Sequence, residues 1–513
     1  METHETVLIL DYGSQYTQLI ARRCREAGVF SRIERWDCPL SFILSANPIG
    51  IILSGGPNSV YEPNAPPRWK DLSDLRLPIL GICYGMQLMV RGEGGTVERS
   101  ERREYGRATV NISLDCPLFN GLDPTQPVWM SHGDRVSELP PGWNRAGASE
   151  SGLIAAVEQP AKRRFGLQFH PEVSHTRAGG QIIHNFLFDI CGARGAWNMG
   201  SFVAEAVSRI KNRVGSGLVI CAFSGGVDSA VAATLLHEAV GENLRCVLVD
   251  TGLLRKNEAA EIEAIFRPRW GDSLIIVQAE KDFMADLTGV IDPEEKRRRI
   301  GRRFIEVFQQ EAVKFENAAY LLQGTIYPDV IESSGVNGVA AVIKTHHNVG
   351  GLPEKLGLQL IEPLRDLFKD EVRQAARELG LPEHIIMRHP FPGPGLAVRI
   401  LGEVTPEARD LLQEADAIFI AELRREGWYE KVSQAFAVLL PVRSVGVMGD
   451  ARTHERVIAL RSVDTRDFMT ADFSPLPHDL LARIASRIAN EVRGINRVVY
   501  DVTSKPPATV EWE

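Results

Sequence analysis

Hydrophobic and polar positions follow one repeated pattern through most of this chain. Short apolar runs end in glycine-rich turns, and each turn is followed by a segment whose apolar residues recur at helical spacing. The first run is "TVLILDYG" at residues 6–13, and the helical segment "SQYTQLIARRCREAG" follows it. Strands that alternate with helices in this way are typical of an open, mainly parallel sheet covered on both faces. We therefore expect an α/β fold whose functional sites gather at the carboxyl ends of the strands.

The pattern occurs in two blocks. In the first, over residues 1–194, the runs "IGIILSGGP" and "LPILGICYG" predict further strands that end in tight turns. A loss of periodicity and a high density of glycine mark a boundary near residue 195. The second block, over residues 195–387, ends with the predicted helix "KDEVRQAARELGL". Its predicted strands are "GLVICAF", "LRCVLVDTG", "SLIIVQAE" and "AYLLQGT".

The character of the chain changes at "RHPFPGPGLAVRI", residues 388–400. Its interleaved prolines and glycines exclude a helix and predict a hinged loop. Residues 388–513 then combine helices with strands such as "SVGVMGD" and "RVVYDVTS". This mixture indicates a smaller α+β unit, and a second copy of the chain is the candidate to cover it. The predicted fold class is two open, mainly parallel α/β sheet domains followed by a smaller α+β C-terminal domain.

Composition and charge narrow the class of protein. The length of 513 residues exceeds what one core holds, so several domains are expected. No apolar run reaches the roughly 18 residues of a membrane span, and "METHETVLILDYG" has no basic region, which predicts a cytoplasmic protein without a membrane partner. The net charge of −8 argues against a nucleic-acid partner. Seven cysteines without a C-x-x-C pair indicate reduced thiols.

The segment "LPILGICYGMQLM" carries the first candidate site, because it places Cys83 between Gly81 and Gly85 where a strand meets a helix. Small neighbours tolerate a strained turn there and leave a nucleophile exposed at the start of the helix. Cysteines at helix N-termini are more acidic than free thiols. An isolated cysteine is more often a small core residue, as we expect for Cys221 and Cys246. Cys83 differs from them because it lies on an elbow, the tight turn between the predicted strand and helix.

Two further motifs supply partners for such a nucleophile. "FGLQFHPEVSHT" places His170 and Glu172 at the end of another strand-like run, as a general base and a carboxylate that orients it. "LSGGP" offers a glycine N–H as an oxyanion donor. Together the three motifs predict acyl transfer by a cysteine nucleophile.

These motifs resemble those of the class I glutamine amidotransferase domain. The matching stretches are "GICYGMQ", "FHPEV" and "LSGGPNSVY", and the resemblance covers about residues 5–190. It implies that Cys83 attacks the side-chain amide of glutamine and that His170, oriented by Glu172, transfers the proton. It also implies that the backbone N–H groups of Gly56 and Tyr84 stabilise the oxyanion, and that ammonia is released.

The segment "AFSGGVDSAVAATLL", residues 222–236, carries the second candidate site. A strand there ends in a tight turn and opens a helix, whose first N–H groups attract anions. A Walker loop is excluded because the chain has no Gly-Lys dipeptide. The turn is either a capped junction with Asp228 at the helix start, or a pyrophosphate cradle with Asp228 available for Mg²⁺. The residues of the turn are Ser224, Gly225, Gly226, Val227, Asp228 and Ser229.

The stretch "SGGVDS" is similar to the PP-loop of the ATP pyrophosphatases. The resemblance implies cleavage of ATP to AMP and pyrophosphate while a substrate oxygen is adenylated. Many relatives have serine where this chain has Ala230, which implies one weaker phosphate contact. A glutaminase joined to an adenylating domain has an evident joint chemistry, since oxygen capped with AMP leaves a carbonyl carbon when ammonia attacks.

The remaining motifs extend a resemblance to the GMP synthetase family over nearly the whole chain. They are "QGTIYPDVIES", "KTHHNVGGL", "RHPFPGPGLAVRI", "SVGVMGD" and "TSKPPATVEWE". The resemblance implies that xanthosine 5′-monophosphate (XMP) is adenylated at its C2 oxygen with ATP and Mg²⁺ and is then aminated to GMP. Lys344 would reach a nucleotide phosphate. The XMP contacts implied are Arg297, Gln434, Asp450, Lys505, Val510 and Glu511.

The resemblance also implies an organisation into three domains and a homodimer formed through the last of them. The domains are an amidotransferase at 1–194, an ATP pyrophosphatase at 195–387 and a dimerisation and XMP-binding domain at 388–513. We expect no zinc site at "THHN", because adjacent side chains on a strand face opposite ways. In "PEEKRRRIGRR" the helical spacing pairs Glu294 and Glu295 with later arginines and leaves Arg297 unpaired. Trp512 is expected to dock the C-terminal tail.

Two other functions stay open at this point. One is an amidotransferase that acts on a different adenylated acceptor, such as a carboxylate or a tRNA base. The other is a purine-nucleotide sensor that binds without turnover, although a sensor would not require the full set of reactive residues.

Overall fold

The computed structural model describes residues 4–315, 317–333, 357–448, 451–465 and 470–513. Two compact units are present: the first comprises Met1–Phe202 and a short segment that begins at Pro328, and the second comprises the other residues. Within the described ranges, no helix is both long enough and apolar enough to cross a membrane.

The first unit is built on a nine-stranded sheet with the order β2-β1-β3-β4-β9-β8-β7-β5-β6. The strands from β2 to β9 in this order are parallel, and those from β9 to β6 are antiparallel. Thr6–Asp11 is buried along its whole length, as a parallel strand covered on both faces must be. The strands are β1 Thr6–Asp11, β2 Phe30–Arg35, β3 Gly50–Leu53, β4 Ile79–Ile82, β5 Thr96–Ile112, β6 Thr125–Glu138, β7 Asn144–Ser149, β8 Ile154–Gln159 and β9 Arg164–Leu167.

Helices flank this sheet, and a core of residues such as Leu8, Leu53 and Met86 lies between the two layers. The order of the parallel strands has a consequence for function. Because β3, β4 and β9 are neighbours, the segments that follow their carboxyl ends meet at one edge of the sheet. The helices of this unit are α1 Thr17–Glu26, α2 Leu40–Ala46, α3 Trp69–Ser73, α4 Tyr84–Gly92 and α5 Gly179–Asn185.

The second unit contains an all-parallel sheet of order β12-β11-β10-β13-β14. Its strands confirm the four predicted from apolar runs and add a short fifth: β10 Leu218–Ala222, β11 Leu244–Asp250, β12 Leu274–Gln278, β13 Ala318–Leu322 and β14 Gln359–Ile361. The helices around it are α6 Met199–Val214, α7 Val227–Val240, α8 Glu258–Trp270, α9 Glu280–Leu287, α10 Pro293–Ala312, α12 Lys369–Glu378 and α13 Glu383–Ile386. The helix α11 Tyr327–Ser333 belongs, after its first residue, to the segment of the first unit.

A second, mixed sheet completes this unit. The hairpin β15 Gln434–Met448 and β16 Ala451–Asp464 is antiparallel, β17 Asp472–Phe473 pairs with β16, and β18 Ile495–Asp501 lies parallel to β16. The helices α14 Pro406–Arg425 and α15 His478–Glu491 pack on one face. The predicted fold class, two open α/β sheets followed by a smaller α+β part, is confirmed.

One apolar core is shared by the two sheets of the second unit. It includes Ile220 and Val247 from the parallel sheet together with Leu439 and Ile458 from the mixed sheet. The run 388–400 lies between these elements in the chain, and its last part, Gly395–Arg399, forms a 3-10 helix. The expectation that prolines and glycines exclude any helix from this run was therefore wrong for these five residues.

Candidate active sites

Cys83 lies on the tight turn between β4 and α4. Its φ of 51° and ψ of −104° are strained for a residue with a side chain. A β-carbon at Gly81 would lie 2.5 Å from the carbonyl carbon of Gly85, and one at Gly85 would lie 2.5 Å from Leu53 O. Both glycines are therefore required by close backbone packing around the elbow. The turn leaves Cys83 immediately before the first residue of α4.

His170 and Glu172 lie together after the end of β9. The distance from His170 Nδ1 to Glu172 Oε1 is 2.7 Å, and both side chains are buried. Burial lowers the pKa of His170, but the carboxylate of Glu172 and the contact with Cys83 together raise it to about 10. The arrangement thus favours an imidazolium at His170 that faces Cys83 and is held by Glu172. The Tyr16 ring packs edge-on against this imidazole at 5.1 Å.

The glycine-rich segment after β3 lies beside the same cysteine. A β-carbon at Gly55 would lie 3.3 Å from His170 Cε1 and 3.7 Å from Cys83 Cβ. The next residue, Gly56, is close to Tyr12, because a β-carbon there would lie 2.7 Å from Tyr12 O. The three predicted motifs are thus brought to one place by the strand order.

One contact of the Cys83 sulfur was missed by sequence reasoning. Gln168 donates its Nε2–H to Cys83 Sγ at 3.6 Å. Gln168 stands two residues before His170 in the quoted motif, just after the end of β9, but its contact with Cys83 depends on the pairing of β9 with β4, which the motif does not contain. Ser131 O also lies 3.8 Å from the sulfur.

The predicted phosphate loop is a strand-to-helix turn closed by its own hydroxyl groups. Gly225 has φ 74°, and Gly226 caps the 14-residue helix α7. Gly226 donates its N–H to Ser224 Oγ at 3.3 Å, and Ser229 donates its hydroxyl to Gly226 O at 2.9 Å. The two serine hydroxyl oxygens lie 3.0 Å apart. The loop therefore presents the N-terminus of α7, which begins at Val227.

Two cations that the sequence did not single out lie at this loop. Lys369, the first residue of α12, donates to both carboxylate oxygens of Asp228 at 2.6 and 2.7 Å. Arg388 donates to Gly225 O at 3.0 Å and forms an ion pair with the buried Glu258. Among the described residues, no group of three or more His, Cys, Asp and Glu side chains is placed to hold a metal ion.

The predicted XMP residues fall into three sets. Gln434 donates its Nε2–H to Glu511 Oε1 at 2.8 Å, so these two are in direct contact, and Val510 precedes Glu511 in the chain. Arg297 donates to the backbone oxygen of Glu513 at 2.5 Å. Lys505 forms an antiparallel bridge with Ala471. Asp450 lies outside the described residues, as do Lys344 and the "THHN" stretch.

Buried cations hold the C-terminal tail, and sequence reasoning missed them as well. Arg399 donates from Nε and Nη2 to the two carboxylate oxygens of Glu511 at 3.0 and 2.8 Å. Lys296 donates to Glu513 Oε2 at 2.5 Å. The tail is therefore docked chiefly by ion pairs. Trp512 is partly exposed, and its indole N–H donates to Asp501 at 3.0 Å.

The expectation that Arg297 has no partner on its helix was wrong. Its Nε lies 3.6 Å from Glu294 Oε1, one helical turn earlier. Helical spacing of three residues, and not only four, brings such side chains together.

Comparisons with known proteins agree with this geometry. Residues 8–190 match the family described as glutamine amidotransferase class-I, and residues 421–512 match the GMP synthase C-terminal domain. A glutamine-hydrolysing GMP synthase of Phenylobacterium zucineum is 56% identical over 99% of both chains. A protein of the same name from Aquifex aeolicus is 54% identical over 99% of both chains, and one from Nitratidesulfovibrio vulgaris is 55% identical over 100% of both.

Proposed function

The chain belongs to the glutamine-hydrolysing GMP synthase family, and on that premise we propose how its residues divide the reaction. The enzyme is a ligase that makes GMP from XMP with ATP and with nitrogen from glutamine. Relatives of this identity over the full length decide against a different acceptor and against a sensor without turnover. The observation that carries the assignment of residues is the His170–Glu172 pair beside Cys83 on its strained elbow.

The glutaminase step is assigned to Cys83, His170 and Glu172. The Cys83 thiolate attacks the side-chain carbonyl carbon of glutamine, and the carbonyl electrons move to oxygen, where the N–H groups of Gly56 and Tyr84 would receive them. Tyr84 is the first residue of α4, and the first N–H groups of a helix have no acceptor within it. His170 gives its proton to the leaving nitrogen as the C–N bond breaks, so ammonia departs and a thioester remains.

The thioester is then hydrolysed by the same residues. His170, now neutral, takes a proton from water, whose oxygen attacks the thioester carbon. Collapse of the tetrahedral intermediate breaks the C–S bond, releases glutamate and returns the thiolate. Glu172 holds Nδ1 throughout and so keeps Nε2 directed toward the reacting atoms.

The ATP-binding residues are assigned to the phosphate loop: Ser224, Gly225, Gly226, Val227, Asp228 and Ser229, with Lys344 from elsewhere in the chain. The start of α7 and the two serine hydroxyls suit the β- and γ-phosphates of ATP. The C2 oxygen of XMP attacks the α-phosphorus and expels pyrophosphate, which gives adenyl-XMP. Ammonia then adds at C2, and the C–O bond to AMP breaks to give GMP.

Mg²⁺ is proposed to accompany ATP, with Asp228 as its protein ligand. The donor set fits, because Mg²⁺ is commonly bound through one or two carboxylates together with substrate phosphates. When bound, the ion would reduce the negative charge on the phosphates. Asp228 already holds a cation, Lys369, at both oxygens, so this carboxylate is suited to a positive partner.

XMP is proposed to bind at the C-terminal tail, through Arg297, Gln434, Asp450, Lys505, Val510 and Glu511. The support is the direct contact between Gln434 and Glu511, which pins a carboxylate beside a sheet strand. The buried Arg399 fixes the orientation of that carboxylate from the other side.

Three broader assignments belong to the same proposal. The chain divides into domains at 1–194, 195–387 and 388–513, and its seven free cysteines suit the reducing cytoplasm. A homodimer is formed through the last domain. The support for the dimer is three exposed valines on one strand of the mixed sheet, since exposed apolar patches mark association surfaces. These are Val442, Val445 and Val447 of β15.

The test of the whole assignment is AMP production by the full chain. We expect AMP and GMP to form in equal amounts with XMP, ATP, Mg²⁺ and glutamine, and AMP to disappear when XMP or ATP is omitted. Ammonia should replace glutamine. Release of pyrophosphate without any guanine nucleotide would contradict the proposal.

A further inference from the structure

Two buried glutamines lie next to the nucleophile, and the glutaminase steps above do not use them. Gln168 and Gln87 are 1% and 3% exposed. Gln168 donates its Nε2–H to Cys83 Sγ at 3.6 Å, and Gln87 donates its Nε2–H to Gln168 Oε1 at 3.1 Å. Burying an amide is favourable only when its polar atoms find partners, so the arrangement of these two groups is strongly specified.

The orientation of the Gln168 side chain is set by the backbone carbonyl of Asp134, through the side chain of Gln87 that lies between them. Gln87 Nε2 also donates to Asp134 O at 3.2 Å, and a carbonyl oxygen can only accept. The amino end of Gln87 must therefore face Asp134 O, and its second N–H meets Gln168 Oε1. This leaves the amino end of Gln168 facing the sulfur. A reversed Gln168 would put two amino groups against each other and an oxygen lone pair against Cys83.

We propose that Gln168 is a positioning residue of the glutaminase, which donates a hydrogen bond to the Cys83 thiolate and holds the sulfur in place for attack. The proposal rests on the proposed role of Cys83. A donor stabilises an anion more than a neutral thiol, so this contact favours the reactive form of the sulfur. The amide does not titrate, in contrast to His170.

This difference gives Gln168 a distinct part in the cycle. When the thioester is hydrolysed, the C–S bond breaks and its electrons return to sulfur. His170 has by then taken a proton from water and has to stay near the reacting oxygen. Gln168 keeps its N–H directed at the sulfur at this stage too, because its partner Gln87 is fixed by Asp134 O.

The experiment compares Gln168→Met, which has similar length and no donor, with Gln168→Glu, which has the same shape and only acceptors toward sulfur when ionised. Glutamine hydrolysis by the full chain and inactivation by the glutamine analogue 6-diazo-5-oxo-L-norleucine are followed from pH 5 to 10. We expect the pH of half-maximal inactivation rate to rise by about one unit in Gln168→Met and by more in Gln168→Glu. At neutral pH, kcat/KM for glutamine should fall about 10-fold in Gln168→Met.

Two controls separate this role from a general loss of packing. Gln126→Met removes another buried glutamine of the same unit, whose Nε2 donates to Asp123 O at 2.7 Å, and should leave the pH profile unchanged. GMP synthesis from added ammonia should be unaffected in all three variants. Because Gln168→Glu preserves shape, it reports on the donor even where the methionine variant folds poorly.

If both Gln168 variants have the same pH profile as the unaltered enzyme, the inference is overturned. A profile that moves equally in Gln126→Met would overturn it too, since that would indicate packing alone. Failure of the proposed function looks different, because Cys83→Ala would then still hydrolyse glutamine.

Discussion

Lys369 Nζ lies 2.6 Å from Asp228 Oδ2, so an ammonium group stands at the first turn of the helix that follows the phosphate loop. The two residues are 141 positions apart in the chain and belong to α7 and α12. If the Asp228 carboxylate only stabilised the start of α7, it would not need an ammonium partner from another helix. The pair places the positive charge of Lys369 where phosphates are proposed to bind.

We predict that Lys369→Met weakens ATP use and leaves folding nearly unchanged. Loss of a charge-assisted contact to phosphate should lower kcat/KM for ATP roughly 10- to 100-fold. The ion pair with Asp228 is more than one-third exposed on the lysine side, so it contributes less than about 1 kcal/mol to the free energy of unfolding. ATP saturation curves with saturating XMP and ammonia measure the first effect, and urea unfolding measures the second.

The matched control for this prediction is Lys256→Met. Lys256 forms an equally short pair with Glu414, at 2.6 Å and similar exposure, and neither residue contacts Asp228 among the ion pairs of the described residues. Its removal should change neither ATP use nor stability. An equal loss of ATP use in both variants would contradict a specific role for Lys369.

We predict that Cys83→Ala separates the two half-reactions. GMP synthesis from glutamine should fall by at least about 10⁴-fold, because the nucleophile is absent. Synthesis from ammonia should persist, because adenylation uses residues of the other unit. The measurement is GMP formation with each nitrogen source, and loss of both activities would contradict a separate glutaminase.

Asp228→Ala should give the opposite pattern, with XMP amination lost and glutamine hydrolysis retained.

We predict that the free energy of unfolding of the first unit decreases as the pH rises from about 6.5 to about 10. His170 has a pKa of about 10 in the folded chain, above its usual value near 6.5. The folded state therefore holds a proton in this window that the unfolded state has released, so the stabilisation is complete below about pH 6.5 and is lost as pH passes 10. Urea unfolding at several pH values should show the slope, and His170→Gln should remove it.

The comparison variant for the pH effect is His184→Gln, on the surface helix α5. His184 stacks on Phe188 and is not part of the triad. It should retain the slope of the unaltered enzyme. A His170→Gln profile with the full slope would show that another group is responsible.

We predict that Glu511→Gln raises the KM for XMP about 10-fold and spares glutamine hydrolysis. The amide keeps the shape but removes the charge that faces the fully buried Arg399, so unfolding of the second unit should also become easier by about 1–3 kcal/mol. XMP titrations and urea unfolding measure the two effects. The control is Glu414→Gln, which alters an exposed carboxylate of the same unit. It should change neither the KM for XMP nor the free energy of unfolding.

Local sequence was enough to find the nucleophile and its base, since Cys83 and His170 each stand in a short motif at a strand end. It was not enough to find Gln168's contact with Cys83, because β4 and β9 are adjacent in the sheet although more than 80 residues separate the two side chains in the chain. Strand order is decided by tertiary packing that no local window contains. Lys369 and Arg399 were missed for the same reason.

The antiparallel half of the first sheet was also outside the prediction. The strand β6 is long and its buried positions alternate with exposed or half-buried ones, so it carries no continuous apolar run. Apolar runs reveal strands buried on both faces, which is why parallel strands such as β1, β3 and β4 were found. The tail was expected to dock through Trp512, whose indole N–H does donate to Asp501. The ion pairs of the buried Lys296 and Arg399 with the tail were not predicted, because buried cations leave no hydrophobic signal.

The shared apolar core of the second unit limits how this protein can be divided. A break of the chain at residue 388 would separate Ile220 and Val247 from their packing partners Leu439 and Ile458. Both fragments would then expose apolar surface and aggregate. The two sheets of the second unit must therefore be inherited together, in evolution and in engineering alike.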